Sequence, residues 1–359
     1  MNSVKFPLRH KQKPLFGFDI GHGSLKIVQL DTRSSKNIKL VGYGSIYFDP
    51  AAILDGEITN LETVAGAAFE LFEKGITGAV TTRTIAASLP VSHSFSRVIS
   101  LPIMNEKDIL DAVKLEAEQY IPVSIEDLYI DYQLINTTAG GQDFLIAAAP
   151  KKVVDSYITL FKIIGLEPVV MEPSTLSVTR MVRRAESSEV PTLVIDCGSI
   201  TTDLIIYNKQ AVRVTGTIKF GGQAITRSLV DSLKLSDAQA EVVKSRYGLD
   251  ASKKQADINQ ALEVPLKNLV SEIKKIIRYF EERAKDDQEK VGQILLLGGG
   301  ANLPGLSTYL TDSLRIPSRL CSVWKNISLS GLQSSGDPDN SMYATATGLA
   351  LIGPGEVSA

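Results

Sequence analysis

Two short polar segments of this chain share nearly the same pattern of a leading aspartate, glycines and hydroxyl side chains. The first is DIGHGSLK at 19–26, and the second, 177 positions later, is DCGSITTD at 196–203. Each lies between two apolar runs, which is the pattern of a β-hairpin used twice. Glycines and hydroxyl residues in a tight turn direct backbone N–H groups and hydroxyls towards an anion. The repeat therefore predicts two facing turns that hold the phosphates of a nucleotide.

Each turn opens with an aspartate, Asp19 in the first and Asp196 in the second. Mg²⁺ takes oxygen ligands and keeps most of its waters, so we expect these carboxylates to hold a hydrated Mg²⁺ at the phosphates. A third glycine segment, GGG at 298–300, follows an apolar run. Glycines there let the backbone approach a planar ligand such as a nucleoside. A turn without any ligand is the competing interpretation of each motif taken singly.

The composition is typical of a globular protein with a reduced interior. The 359 residues suit two domains, and the net charge of −2 gives no basic surface for nucleic acid. Two cysteines, Cys197 and Cys321, are too few for a disulfide framework. We find no signal-peptide pattern and no apolar run of about 18 residues, so we expect a cytoplasmic protein.

Hydrophobic periodicity predicts an α/β protein with a separate small unit in its first half. Strands are predicted over 15–30, 38–48 and 84–89. Strands and helices alternate through 90–167, ending in a helix over 151–164, and together form an α+β module of two layers. In the second half, Ser236 and Gln239 form a capping box before a helix over 237–247, and a long helix is predicted over 262–284.

The order of these motifs resembles the actin-like ATPase superfamily, which includes actin, MreB, the heat-shock chaperone ATPases and FtsA. Within its FtsA-like subgroup the chain is most similar to the PilM family of type IV pilus assembly proteins. The most specific segment is LEAEQYIPVSIEDLYIDY at 115–132. The segments GLEPVV at 165–170, GGGANLPG at 298–305 and ATATGLA at 344–350 are also similar to that family.

The resemblance implies an actin-like ATPase fold, with two lobes of duplicated RNase-H-like domains and an inserted α+β subdomain in the first lobe. The first large subdomain is then expected over 14–89, continued by 168–190 and 341–355. The inserted subdomain is expected over 90–167. The second lobe is expected over 191–340, with a helical subdomain at about 223–290.

The resemblance also implies which residues bind ATP and Mg²⁺. The first phosphate loop is expected to use Asp19, Gly21, Gly23, Ser24 and Lys26. The second phosphate loop is expected to use Asp196, Gly198, Thr201 and Thr202, and the turn beside the ribose is expected to use Gly221 and Gly222. A charged pair, Glu241 and Lys244, is expected to border the nucleoside. The adenosine loop is expected to consist of Gly298, Gly299 and Gly300. A solvated ion pair is the alternative interpretation of Glu241 and Lys244.

Glu172 precedes Pro173, and in relatives a Glu-Pro at this point orients the water that attacks ATP. Phosphoryl transfer needs positioning more than covalent chemistry, so the resemblance implies slow ATP hydrolysis through Glu172. A Glu-Pro that merely begins a helix is the alternative. His22 departs from the family pattern, where Ser or Thr is expected, and this puts the hydrolysis rate in doubt.

Three functions follow from these expectations. The first is an ATP-binding protein at the inner face of the inner membrane, which docks the cytoplasmic N-terminal peptide of a PilN-like inner-membrane protein and reaches the membrane through that partner. The second is a self-associating, filament-forming cytoskeletal ATPase like FtsA or MreB. The third is a small-molecule kinase on the same fold, for which the sequence offers no motif.

Overall fold

The computed structural model describes residues 14–34, 37–138, 140–186, 190–208, 211–250, 255–283, 289–329, 332 and 340–353. Two predicted domain ends fall at gaps in this set: residue 190 directly follows the undescribed residues 187–189, and residue 355 lies outside the described residues. Within the described ranges, no helix combines the length and apolar character needed to cross a membrane.

Strands and helices both occur in each half of the chain. The strands are β1 (Phe16–Gly21), β2 (Ser24–Asp31), β3 (Lys39–Tyr47), β4 (Ile53–Leu54), β5 (Glu57–Ile58), β6 (Ile76–Gly78), β7 (Thr84–Leu89), β8 (Phe95–Leu101), β9 (Leu128–Thr138), β10 (Gly141–Pro150), β11 (Glu167–Pro173), β12 (Thr192–Cys197), β13 (Thr202–Asn208), β14 (Ala211–Ile218), β15 (Gln293–Leu297) and β16 (Ser318–Leu320). The helices are α1 (Leu61–Lys74), α2 (Glu106–Glu118), α3 (Lys151–Ile164), α4 (Ser174–Ala185), α5 (Gly222–Leu233), α6 (Asp237–Arg246), α7 (Gln255–Glu281), α8 (Leu306–Leu314) and α9 (Ala344–Ala350).

The two large sheets share one strand order. The first runs β11-β7-β1-β2-β3-β6 and the second runs β16-β15-β12-β13-β14. In each sheet an antiparallel hairpin, β1–β2 or β12–β13, is extended on the side of its first strand by parallel strands. This repetition is what a duplicated pair of domains predicts.

Helices cover the outer face of each large sheet. On the first sheet, side chains from β1 such as Phe16 and Phe18 pack with α1 and α3 in a core from which water is excluded. On the second sheet, the outer core includes residues of α5, α6, α7 and α8. Helix α7 begins at Gln255, earlier than predicted, because Ile258 and Leu262 extend its buried stripe past Pro265.

Helices α4 and α9 lie between the two sheets. Val178 and Met181 of α4 share a core with residues of the second sheet, and Ala344 of α9 joins it. The approach is too close for larger residues, because a Cβ on Gly348 of α9 would lie 1.8 Å from the carbonyl oxygen of Ser177. The small-residue run at 344–350 therefore positions the two lobes against each other.

A third, smaller sheet lies within the range expected for the inserted module. It is the antiparallel sheet β8-β10-β9 with α2 on one face, where Ile109 and Val113 pack against Phe144. Strand β10 ends at Pro150 and α3 begins at the next residue. The apolar face of α3 belongs to the core of the first large sheet, with the Phe161 ring centroid 5.8 Å from that of Phe18. The small sheet therefore ends near residue 150, and α3, which lies within the expected range 90–167, packs on the first large sheet.

Candidate functional site

Three polar side chains stand in a row at one edge of the first sheet. Asp19, Ser88 and Glu172 lie near the carboxyl ends of β1, β7 and β11, which are adjacent and parallel. The Ser88 hydroxyl donates to Asp19 Oδ1 at 2.7 Å, and Glu172 is in register with Ser88. Carboxyl ends of parallel strands are the usual place for ligands in α/β sheets.

The β1–β2 turn gathers the first set of predicted ligands. Gly23 has φ of +100°, and its N–H donates to the Gly21 carbonyl at 2.9 Å, which closes the turn. Lys26 Nζ lies 2.9 Å from Ser24 Oγ and 3.3 Å from Asp19 Oδ2. An ammonium group, a hydroxyl and turn N–H groups at one point are what a phosphate requires.

His22 occupies the tip of this turn and is half-buried. Burial lowers the pKa of its imidazole below the ordinary value. The ring is therefore neutral near pH 7 and adds no positive charge to the turn, so Lys26 supplies the cation there.

The β12–β13 hairpin concentrates negative charge. Asp196 lies directly opposite Asp203, whose carboxylate accepts from Thr217 Oγ1 at 2.7 Å. Burial, together with the nearby carboxylates of Asp203 and Asp19, raises the pKa of Asp196 to about 7. Burial likewise raises the pKa of Asp203 to about 6. Asp203 was missed by the sequence analysis, although its place opposite Asp196 follows from the hairpin register.

This charge distribution fits a bound divalent cation. Asp19 and Asp196 come from opposite lobes yet interact electrostatically, and a cation between them would relieve their repulsion. Among the described residues no group of three or more His, Cys, Asp or Glu could enclose a metal. Two carboxylates suit Mg²⁺, which completes its shell with waters and phosphate oxygens.

The Gly221–Gly222 turn packs tightly on the second hairpin. The Gly222 N–H donates to the Gly198 carbonyl at 3.0 Å, and a Cβ on Gly221 would lie 2.5 Å from the Ser199 carbonyl oxygen. Thr201 is half-buried beside this contact. The close approach explains why a glycine occupies position 221, directly before α5.

The Thr202 side chain contacts the backbone that precedes α5. Its hydroxyl is buried and donates to the Phe220 carbonyl at 2.8 Å, which commits it to holding the turn before α5. Side chains alternate along a strand, so Thr202 faces away from Asp203 and from the carboxylate edge. Its hydroxyl thus supports the turn, and the place of Thr202 in the second phosphate loop stays a prediction.

Glu241 and Lys244 form an ion pair that reaches the same turn. Lys244 Nζ donates to Glu241 Oε1 at 2.7 Å and to Thr226 Oγ1 at 2.9 Å. It also lies 3.4 Å from the Gly222 carbonyl oxygen. The pair therefore borders the glycine turn instead of standing alone in solvent.

The Gly298–Gly300 segment forms the floor of the cleft beside Asp196. Gly298 has φ of +79°, and a Cβ there would lie 2.5 Å from Asp196 Oδ1. Its carbonyl accepts from Ser341 Oγ at 3.2 Å, and its N–H donates to the Ser341 carbonyl at 3.1 Å. A Cβ on Gly299 would meet nothing within 4 Å, so the backbone is open to a ligand at that point.

Glu172 is engaged in a buried ion pair. Its two carboxylate oxygens accept from Arg180, at 2.7 Å from Nη1 and 3.0 Å from Nη2. Glu172 as a whole is only 8% exposed to solvent. The water-orienting role expected from the sequence therefore requires this ion pair to open.

Comparison with known proteins places the fold. The chain is similar to a chain of the solved PilM-PilN type IV pilus biogenesis complex, with TM-score 0.81 and 25% identity, over 97% of this chain and 99% of that one. MreB5 of Spiroplasma citri bound to ADP has TM-score 0.52 and 13% identity over 94% of this chain and 95% of that one, and it shows the fold alone. These likenesses confirm the predicted actin-like ATPase fold.

Curated relatives and a family model complete the comparison. The cell division protein FtsA of Streptococcus pneumoniae is 22% identical over an alignment of 326 positions including gaps, and the alignment covers 81% of this chain and 71% of that protein. FtsA of Borreliella burgdorferi is 22% identical over an alignment of 362 positions including gaps, and the alignment covers 85% of this chain and 84% of that protein. The family model described as type IV pilus assembly protein PilM matches residues 17–353. Because that match covers nearly all of the sequence, the chain belongs to the PilM family of type IV pilus assembly proteins.

Proposed function

We propose that this chain is an ATP-binding adaptor of type IV pilus assembly that docks the N-terminal peptide of a PilN-like inner-membrane protein. The observation that carries the proposal is the convergence of two hairpins on one cleft. Lys26 and Ser24 reach it from the first lobe, and Asp196 reaches it from the second beside the open Gly299 backbone. Cation, hydroxyl, carboxylates and open glycines together match Mg·ATP.

Each element has a defined part in binding. Lys26, Ser24 and the N–H groups of the β1–β2 turn bind phosphate oxygens. Asp19 and Asp196 hold Mg²⁺ through its water ligands, and the ion neutralises the phosphate charge. The Gly299 backbone contacts the nucleoside, and the pair on α6 borders it from the other side. Thr202 supports the site by positioning the glycine turn.

The docking surface lies where the inserted module meets the first large sheet. Lys151 Nζ, at the start of α3, donates to the Glu126 carbonyl at 2.6 Å, and the Tyr129 hydroxyl donates to Asp155 Oδ1 at 3.1 Å. Tyr129, which contacts α3 in this way, is 47% exposed, and Tyr120, which follows α2 in the same module and lies under Arg97, is 49% exposed. Exposed aromatic side chains are frequent anchors in protein interfaces. The likeness to the solved PilM-PilN complex supports a PilN-like protein as the partner.

A calorimetric titration with a synthetic PilN-like N-terminal peptide tests the proposal. We expect micromolar or tighter binding in the presence of Mg·ATP. Tyr120→Ala should weaken binding at least about tenfold, the loss expected for an interface anchor. The matched control is Tyr279→Ala on α7, because Tyr279 is similarly exposed, at 47%. Each tyrosine ring also lies under an arginine, with the guanidinium carbon of Arg283 3.8 Å from the Tyr279 ring centroid and that of Arg97 3.9 Å from the Tyr120 ring centroid. Absence of binding by an ATP-loaded protein would contradict the adaptor function.

A filament-forming ATPase is the second candidate, because the FtsA relatives align over most of this chain. Self-association would then be the main activity, and peptide docking would be secondary or absent. Sedimentation with and without Mg·ATP separates the two. Nucleotide-dependent pelleting without peptide binding would favour the filament, and a non-pelleting protein that binds the peptide favours the adaptor.

A further inference from the structure

Arg180 joins three elements that meet between the lobes. It projects from α4, its guanidinium binds both oxygens of Glu172 at the end of β11, and Nη1 also donates to the Gly348 carbonyl of α9 at 3.1 Å. The two side chains of the ion pair are only 20% and 10% exposed. A bidentate pair with this little solvent is among the strongest charge-assisted contacts a side chain makes.

The ion pair lies at the carboxylate edge of the nucleotide cleft. Glu172 is in register with Ser88, and Ser88 in turn donates to Asp19. Two strand spacings separate β11 from β1, so the Glu172 backbone lies roughly 10 Å from that of Asp19. Glu172 is therefore within side-chain reach of a water placed beyond phosphates that rest on the β1–β2 turn.

We propose that Arg180 is a positioning residue that holds Glu172 in a resting position, so that bound ATP is retained and hydrolysed slowly. The inference rests on the proposed nucleotide site. A carboxylate orients a water by accepting its proton, and here both oxygens already accept from a cation. Separating a buried pair exposes an uncompensated charge, so the pair opens rarely on its own.

Helix α9 is the element that could release the pair. The Gly348 carbonyl of α9 and the Glu172 carboxylate both accept hydrogen bonds from Arg180. The same helix begins three residues after Ser341, and Ser341 makes two hydrogen bonds to Gly298. A shift of α9 relative to α4 would change the partners of the guanidinium. Because close packing of Gly348 on Ser177 allows few positions, such a shift is expected as a discrete rearrangement.

The reaction restrained in this way is hydrolysis of ATP. The oxygen of water forms a bond to the γ-phosphorus, and the bond between that phosphorus and the bridging oxygen breaks with its electron pair left on ADP. A proton of the attacking water passes to Glu172 and from there to the phosphate product. With Glu172 bound to Arg180, one lone pair of each carboxylate oxygen is occupied and the direction of the carboxylate is fixed by the guanidinium. The attacking water then meets a poorly oriented acceptor, and turnover depends mainly on the phosphate oxygens themselves.

Single-turnover hydrolysis with saturating Mg·ATP tests the proposal after nucleotide binding has been measured for each variant. We expect Arg180→Met to accelerate hydrolysis about tenfold or more, within the range of a positioned proton acceptor. Arg180→Lys keeps a positive charge beside Glu172, so the fold should be preserved. A lysine ammonium cannot bind both carboxylate oxygens in the bidentate way of a guanidinium, and it therefore holds Glu172 less firmly. This variant should therefore give a smaller gain.

Two further variants decide the outcome. The double variant Arg180→Met with Glu172→Gln should return to the parental rate, because the freed carboxylate is then absent. Arg319→Met breaks a second bidentate pair, with Glu186 at 3.2 and 2.8 Å, and should leave hydrolysis unchanged. Arg180 variants that bind ATP without faster hydrolysis would overturn the proposal, as would a gain that survives Glu172→Gln. A parental protein that binds no ATP would instead refute the nucleotide site itself.

Discussion

Replacement of Gly298 by alanine gives a prediction whose size follows from the geometry. The residue has φ of 79° and ψ of 166°, a region that is essentially restricted to glycine and costs other residues about 1–3 kcal/mol. The added Cβ would lie 2.4 Å from the Cys197 carbonyl oxygen and 2.5 Å from Asp196 Oδ1. Overpacking of a tight site adds about 1–3 kcal/mol. We therefore expect Gly298→Ala to lower the free energy of unfolding by roughly 2–6 kcal/mol.

The same change should weaken nucleotide binding. To restore an ordinary contact of 3.4 Å, the turn must move about 1 Å away from Cys197, and this displaces the backbone expected to contact the nucleoside. Loss of about 1.4 kcal/mol of binding energy is already tenfold in affinity. We expect an Mg·ATP dissociation constant at least tenfold higher, measured by titration with a fluorescent ATP analogue alongside urea unfolding.

The neighbouring glycine provides the control. A Cβ on Gly299 meets nothing within 4 Å, and the backbone there has no positive φ, so Gly299→Ala should change stability by no more than about 0.5 kcal/mol. It should weaken ATP binding nonetheless, because the added methyl group projects into the space left for the nucleoside. Parental stability and parental ATP affinity in Gly298→Ala would refute this account of the turn.

Three further predictions concern the hairpins. Lys26→Met should weaken Mg·ATP binding about tenfold or more in the same titration, because it removes the cation beside the first phosphate turn. Thr202→Val should lower the free energy of unfolding by about 1–3 kcal/mol in urea, since it leaves the Phe220 carbonyl without its buried donor. Burial raises the pKa of Asp203 to about 6 in the folded protein, above its value in the unfolded chain. As the pH falls from about 8 to 5, the ligand-free folded protein therefore binds a proton before the unfolded chain does, and its free energy of unfolding rises. Asp203→Asn should raise the urea midpoint at about pH 8 and flatten this dependence; an unchanged pH profile would contradict it.

The sequence predicted features that repeat or that depend on local chemistry. Two matching turn patterns indicated two hairpins, and the hairpins have the same place in their sheets. The capping box of Ser236 and Gln239 is present as predicted, because both of its hydrogen bonds are local. Small residues at 344–350 permit a close approach, and the structure shows that approach between α9 and α4.

Features that depend on tertiary contacts were not predictable. The stripe of α3 showed that one face is buried, but not that it packs on the first large sheet instead of the small one. Strand alternation places Thr202 and Asp203 on opposite faces, yet which face meets the cleft depends on the other lobe. The bond from Arg180 to Glu172 crosses from a helix to a strand end, and no pattern in the sequence indicates it.

The most direct test of the central claim, that hairpins from both lobes hold one nucleotide, is a calorimetric titration with a non-hydrolysable ATP analogue and Mg²⁺. The protein should bind one molecule per chain and lose most of its affinity when Mg²⁺ is chelated. Lys26→Met in the first lobe and Asp196→Asn in the second should each weaken binding without unfolding the chain. Absence of binding, or binding that neither variant affects, would contradict the claim.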